Sequence, residues 1–163
     1  MSRPHLDETQ EVRAWRDATL YRLLLRASRA ETTTTLRSLH EKGWTDVTLL
    51  DTNLLANLDT GGTTISALAV RAGFTRQAAS QHVAGLERRG FVQRTSSAID
   101  ARAWLVIQTE KGRRLLSDAL DVVDELERSY EVALGPSVMR SLRKNLAVFL
   151  DHVDQRGELG PDL

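Results

Sequence analysis

The apolar period of the chain changes at Gly90, and that change limits the fold more than any other feature. Before it, Ile65, Leu68, Ala69 and Ala72 recur at i, i+3, i+4 and i+7, the spacing of one helix face. Gly73 is placed to end that helix in a left-handed conformation, and Thr75 caps a second helix whose apolar stripe is Ala79, Val83 and Leu86. After Gly90 the period falls to two. Phe91-Val92-Gln93-Arg94 and Trp104-Leu105-Val106-Ile107-Gln108 read as strands, joined by the polar stretch Thr95 to Ala103. Helix, tight glycine turn, helix and then a hairpin is the outline of a helix-turn-helix followed by a wing.

Longer helices flank this unit. Val12, Trp15, Ala18, Leu20, Leu23, Leu24 and Ala27 mark an amphipathic helix over residues 7–30, with Asp7 as N-cap and Gln10 three residues on. Four β-branched residues, Thr32 to Thr35, predict a weakening or kink before the helix resumes at Leu36 to Lys42. Thr48, with Asp51 three residues later, starts a helix through about Leu58, and Asp59-Thr60-Gly61-Gly62 forms a turn. Thr109 caps a helix carrying Leu115, Leu116, Ala119, Leu120, Val123, Leu126, Tyr130 and Ala133, about 37 Å long. Gly135-Pro136 breaks it, and Val138, Leu142, Leu146, Phe149 and Val153 line one face of a last helix.

The expected fold class is mainly α with a small β-hairpin wing. Its expected parts are an N-terminal dimerisation region at 7–47, a winged helix-turn-helix at 48–109, C-terminal dimerisation helices at 110–156 and a loose tail at 157–163. The flanking helices carry more apolar surface than two short helices and a hairpin can cover, which predicts a homodimer.

Composition excludes several function classes. The 163 residues contain no cysteine, which removes thiol catalysis, disulfide frameworks and Cys-ligated zinc. No window approaches the ~18 apolar residues of a membrane span, and no apolar core follows Met1-Ser2-Arg3-Pro4-His5, so a cytoplasmic location is expected. Motifs of nucleophile elbows, phosphate loops, dinucleotide folds and zinc proteases are missing, and His5, His40, His82 and His152 do not pair at metal-ligand spacing. Neither an enzyme nor a bound cofactor or metal is expected.

Charge is distributed unevenly although it sums to zero. Between Arg71 and Arg114 nine basic residues face three acidic ones, whereas the segment after Arg114 has five basic against ten acidic. A basic module between neutral and acidic flanks suits contact with a polyanion. At 100° per residue, the helix from Thr75 turns Gln77, Gln81, Ala84 and Arg88 outward and puts Ser80 on the flank. Gln can pair bidentately with adenine, Ser bonds several base edges, and Ala permits close approach. Arg76 in the first turn can reach a guanine edge or a phosphate. Arg94 and Arg102 flank the wing, where an arginine suits the electronegative minor groove, and Asp100 is expected to shape the wing tip.

These residues resemble the winged helix-turn-helix of the MarR family of transcriptional regulators. The resemblance runs from Thr64 to Gly112, through Ile65-Ser66-Ala67-Leu68-Ala69, Thr75-Arg76-Gln77-Ala78-Ala79-Ser80, Leu86-Glu87-Arg88-Arg89-Gly90-Phe91-Val92, Asp100-Ala101-Arg102 and Thr109-Glu110-Lys111-Gly112. It implies a homodimer presenting two winged lobes to successive major grooves of a pseudo-palindromic site on double-stranded DNA. It implies contacts from Thr75 to Gln81 and from Arg102, and repression relieved by a small ligand near the junction of dimer helices and winged lobe. Two departures exist. Ser96-Ser97-Ala98-Ile99 stands where a proline usually precedes the wing aspartate, and Ala103 stands where a second arginine is common.

Trp15, Tyr21, His40 and Trp44 lie in or near the helices that would border such a ligand pocket, and aromatic walls with one polar group suit a small aromatic acid. Plain core packing is the competing account of the same residues. A dimeric ligand-binding or protein-interaction protein with weak or lost DNA binding stays open beside the DNA reader, because the net charge is zero and the wing departs from the family pattern.

Overall fold

The computed structural model describes residues 19–96 and 104–155. Within them the chain forms α1 (Leu20–Glu41), α2 (Leu49–Ala56), β1 (Thr63–Thr64), α3 (Ile65–Ala72), α4 (Arg76–Arg88), β2 (Val92–Ser96), β3 (Trp104–Gln108), α5 (Glu110–Leu134) and α6 (Pro136–Gln155). The fold is helical with one small antiparallel sheet in the order β1-β3-β2. The capping expected at Asp7 and Gln10, the wing-tip residues 97–103 and the tail at 157–163 lie outside the described residues.

The threonine run does not interrupt α1. Thr35 is buried, Thr32 and Thr34 are half-buried, and the Thr33 hydroxyl donates to the Arg29 carbonyl at 2.9 Å. Packing of these residues against the rest of the domain outweighs their poor helix propensity, and back-bonding onto the helix absorbs an exposed hydroxyl.

Three described helices end in the same way, at a glycine followed by an aromatic ring. At Gly43-Trp44, Gly73-Phe74 and Gly90-Phe91 the glycine N–H bonds three residues back and the aromatic N–H five residues back, the paired bonds of a Schellman cap. At Gly73 the backbone is left-handed, φ 70°. Starts are equally local. The hydroxyls of Thr64, Thr75 and Thr109 accept from the amides of Ala67, Ala78 and Gly112. Thr48 and Asp51 form a reciprocal capping box at α2.

Other details depart from the sequence reading: the helix expected over 7–30 does not run through Thr19, whose extended backbone caps α1 at Leu20. β2 continues through Thr95 and Ser96, paired with Leu105 and Trp104, so less of the stretch is loop. β1 was not foreseen, since two residues show no period; its Thr63 and Thr64 pair with Val106 and Leu105. A side chain at Gly62 would press on Ile107 and Leu105, so this glycine lets the turn lie against β3.

The core joins both parts of the fold. Leu39 of α1, Leu54 and Leu55 of α2, Leu68, Val83, Leu86, Phe91, Val92 and Val106 of the winged unit, and Leu115 and Val122 of α5 are all buried together. α5 crosses so closely that a Cβ on Gly112 would collide with the Phe91 carbonyl oxygen. Its later half and α6 leave Val132, Leu134, Val138, Leu142, Val148 and Leu150 exposed. No helix among the described residues is long and apolar enough to cross a membrane.

Candidate nucleic-acid interface

α4 is held from beneath and bare on top. Ala79, Val83 and Leu86 are buried against the core, while Thr75, Arg76, Gln77, Gln81 and Arg88 are exposed and Ser80 and Ala84 are half-buried. The hydroxyl of Thr75 is spent on the Ala78 amide, so it sets the start of the helix as well as lying on the exposed face. His82 is half-buried, its ring packed on Phe74 with centroids 5.6 Å apart. What remains outward is short, polar and free of carboxylates from Arg76 to Leu86, a surface that can approach base edges without electrostatic penalty.

The structure divides the basic residues of this segment into two groups. Arg71 pairs with Asp59 at 2.9 Å, Arg113 with Glu110 at 2.8 Å and Arg89 with Asp51 at 2.6 Å. Lys111 donates to the Arg89 carbonyl and stands over the Phe91 ring, 4.4 Å from its centroid. Arg94 pairs with Glu87 at 3.3 Å, which ties the root of the wing to the end of α4. Arg76, Arg88 and Arg114 are exposed and have no carboxylate partner among the described residues. The positive charge left over for a polyanion is therefore smaller than the count suggests, with Arg76 and Arg88 at the two ends of α4 and Arg114 on α5. Asp100 and Arg102 lie outside the described residues.

Arg89 and Asp51 form a bidentate, part-buried ion pair. Burial, the largest influence, pushes the Asp51 carboxyl up, yet the Arg89 guanidinium and the amide and hydroxyl of Thr48 together hold it below its ordinary value of 3.8. Arg89 is raised in turn by donation to Asp51.

Beside this lobe, α1, α2 and α5 line an open cavity of about 420 Å³. Leu49, Ala56, Leu116, Ala119, Leu120 and Val123 give it apolar walls, and Ser28, Thr32, Thr35, Thr52 and Asn53 add neutral polar groups. Glu31 is the one ionisable lining residue, and its carboxylate accepts from the Tyr130 hydroxyl, which raises the tyrosine's pKa. Tyr21, His40 and Trp44 do not line this cavity. Tyr21 and His40 are exposed, and Trp44 packs on Phe91 while its Nε1 donates to Asp118 at 2.7 Å. Trp15 lies outside the described residues. The sequence signal for the cavity was the run of threonines on the inner side of an amphipathic helix, which helix propensity alone reads as weakness. Among the described residues, no group of three or more His, Cys, Asp or Glu can hold a metal ion.

The geometry coincides with a known family. Residues 45–103 match the model of the MarR family. Over that segment the chain is similar to the MarR-family winged helix-turn-helix. Solved structures agree in fold. CouR from Rhodococcus jostii, bound to p-coumaroyl-CoA, is 26% identical with a TM-score of 0.65, over 80% of this chain and 90% of that one. A MarR family protein of Mycobacterium tuberculosis in complex with salicylic acid is 26% identical with a TM-score of 0.60, over 81% and 96%. A MarR family regulator from Streptomyces coelicolor in complex with DNA is 24% identical with a TM-score of 0.64, over 94% and 92%. No curated protein matches the chain in sequence. In the winged helix-turn-helix arrangement α4 holds the place of the second helix and β2–β3 that of the wing.

Proposed function

We propose that this MarR-family chain is a cytoplasmic repressor that binds a pseudo-palindromic operator as a homodimer and is released by a small neutral aromatic ligand. The observation that carries the DNA reading is α4: a helix buried on one face and presenting only Arg76, Gln77, Gln81 and Arg88, with half-buried Ser80, on the other. In a two-fold dimer two such helices read half-sites about one DNA turn apart. Exposed apolar residues on α5 and α6 support the dimer. Residues 7–47 and 110–156 are its dimerisation segments and 48–109 its winged unit, with Arg102 reaching DNA from the wing and Asp100 shaping it.

The cavity between α1, α2 and α5 is the effector site in this reading. Its lining offers hydroxyls and an amide but no basic side chain, so a phenol fits better than a carboxylate, which would meet Glu31 without a counter-charge.

Selection of randomised duplex DNA by the purified protein at near-physiological salt tests the first part. A two-fold symmetric motif is expected. No enrichment by a folded dimer would favour the alternative of a ligand-binding or protein-interaction dimer that no longer reads DNA, and a flat dependence of affinity on salt would point the same way.

A further inference from the structure

The wing carries an exposed indole on the face that points toward α4. Arg94 pairs with Val106 and Ser96 with Trp104 across the hairpin, so these four residues share one face of the sheet. It is the face that α4 covers, since Val106 is buried in the common core and Arg94 reaches back to Glu87. Cover stops there. Val106 is 1% exposed, and Trp104, two residues along and about 7 Å farther out, is 62% exposed. Its Nε1 has no hydrogen-bond partner among the described residues, unlike that of Trp44, which is satisfied by Asp118.

A tryptophan left bare beside an arginine, on the outer part of a wing and next to a recognition helix, has the chemistry of a nucleic-acid contact. With α4 in a major groove, the sugar-phosphate strand bordering that groove passes between the helix and the wing. We infer that Trp104 seats on this strand, its ring against a deoxyribose and its Nε1–H donating to a phosphate oxygen. The contact carries no base information; it fixes how deeply and at what angle α4 enters the groove. It also supplies backbone affinity through a neutral group, which offsets the arginines that the fold consumes in internal pairs. This inference rests on the reading of the winged lobe as a DNA reader.

The test uses the full chain and a fluorescein-labelled duplex of about 30 base pairs and mixed sequence, at low salt. Anisotropy of the label reports binding, and the protein's own tryptophan emission reports contact. Expected results are that DNA quenches the emission of the wild type, that W104F abolishes most of the quench, and that W104A weakens binding about tenfold for all sequences alike. The slope of log affinity against log salt stays as in the wild type, because removing a neutral side chain releases no counterion. Circular dichroism and Tm of both variants are unchanged, as the side chain is exposed. Wild-type affinity in W104A, a quench that survives in W104F, or a W104A effect confined to self-association of the protein would overturn the inference. No anisotropy change for the wild type would instead overturn the DNA reading on which it rests.

Discussion

Arg89 grips Asp51 with both arms: Nη2 lies 2.6 Å from Oδ1 and Nη1 2.9 Å from Oδ2, while Nη1 also donates to the Asp46 carbonyl at 2.7 Å. Asp51 belongs to the first turn of α2 and Arg89 is the C-cap of α4, so the contact pins one end of α4 to α2. The same α2 presents Leu49, Thr52, Asn53 and Ala56 to the cavity. Asp51→Ala removes the Arg89 partner and half of the Thr48 capping box together. With Arg89 partly solvated, the expected loss is about 2 kcal/mol, read as a lower urea midpoint at one fixed protein concentration. A midpoint equal to that of the wild type would mean the pair contributes nothing.

The same carboxylate gives that stability a pH dependence. Its folded pKa is depressed below 3.8, so its contribution is fully present above the unfolded value and is lost as pH falls through the folded one. Asp51→Asn is therefore expected to lag the wild type at pH 7, with the gap closing as pH falls below the unfolded value of 3.8. A gap that stays constant across this range would assign the loss to shape and not to charge.

The effector reading makes a cavity-filling substitution informative. Ala56 stands at the cavity wall on the exposed side of α2, where an indole can enter the void without displacing the core. In the wild type, 4-ethylphenol at millimolar concentration is expected to raise Tm, and 4-hydroxybenzoate to raise it less. Ala56→Trp is expected to abolish both responses. An equal or larger response to the carboxylate would show that Glu31 does not set the charge of the ligand.

Much of this architecture is written locally. Each of Gly43-Trp44, Gly73-Phe74 and Gly90-Phe91 marks a helix end, and Thr48, Thr75 and Thr109 each mark a start, because caps depend on neighbours within five residues. The outward set Gln77, Gln81 and Arg88 follows from helical angle alone. What sequence could not supply was partnership. Arg71, Arg89, Arg94 and Arg113 look alike in a charge count, and only the fold shows that they meet Asp59, Asp51, Glu87 and Glu110. Thr32 to Thr35 failed for the same reason: their helix is stabilised by what packs on them, which propensity does not see. Aromatic residues suggested a pocket at Tyr21, His40 and Trp44, yet the cavity is walled by aliphatic and hydroxyl side chains from three helices distant in sequence.

Base readout and backbone contact separate by mutation. Gln81 is exposed on the outward face of α4, the face proposed to enter the major groove, so Gln81→Ala is expected to cost ~1 to 3 kcal/mol at one base pair of each half-site and to leave other positions unchanged. Arg102→Ala is expected to weaken binding to every sequence and to lower the salt slope by about one. Titrations against the selected site and its single-base variants decide. Relaxed preference from the wing change and none from Gln81→Ala would reverse the two assignments.

In the proposed dimer the C-terminal helices carry the assembly, and their exposed apolar residues mark where it can be broken. Met139 is buried between them and Arg143 of α6 reaches Glu127 and Glu131 of α5 at 2.9 and 3.1 Å, so the hairpin is held independently of any partner. Val138 and Leu142, one helical turn apart on α6, are 51% and 47% exposed. Carboxylates there would have to be desolvated in an apolar interface without a counter-charge, which is costly on both sides of a two-fold axis. The wild type is expected to run at twice the 18.2 kDa protomer mass in light scattering. The double variant Val138→Asp with Leu142→Asp is expected to move toward the protomer mass, keep its helical circular dichroism, and lose most of its affinity for a two-half-site duplex while still binding a single half-site weakly. A double variant that remains a dimer would place the interface elsewhere on α1, α5 or α6.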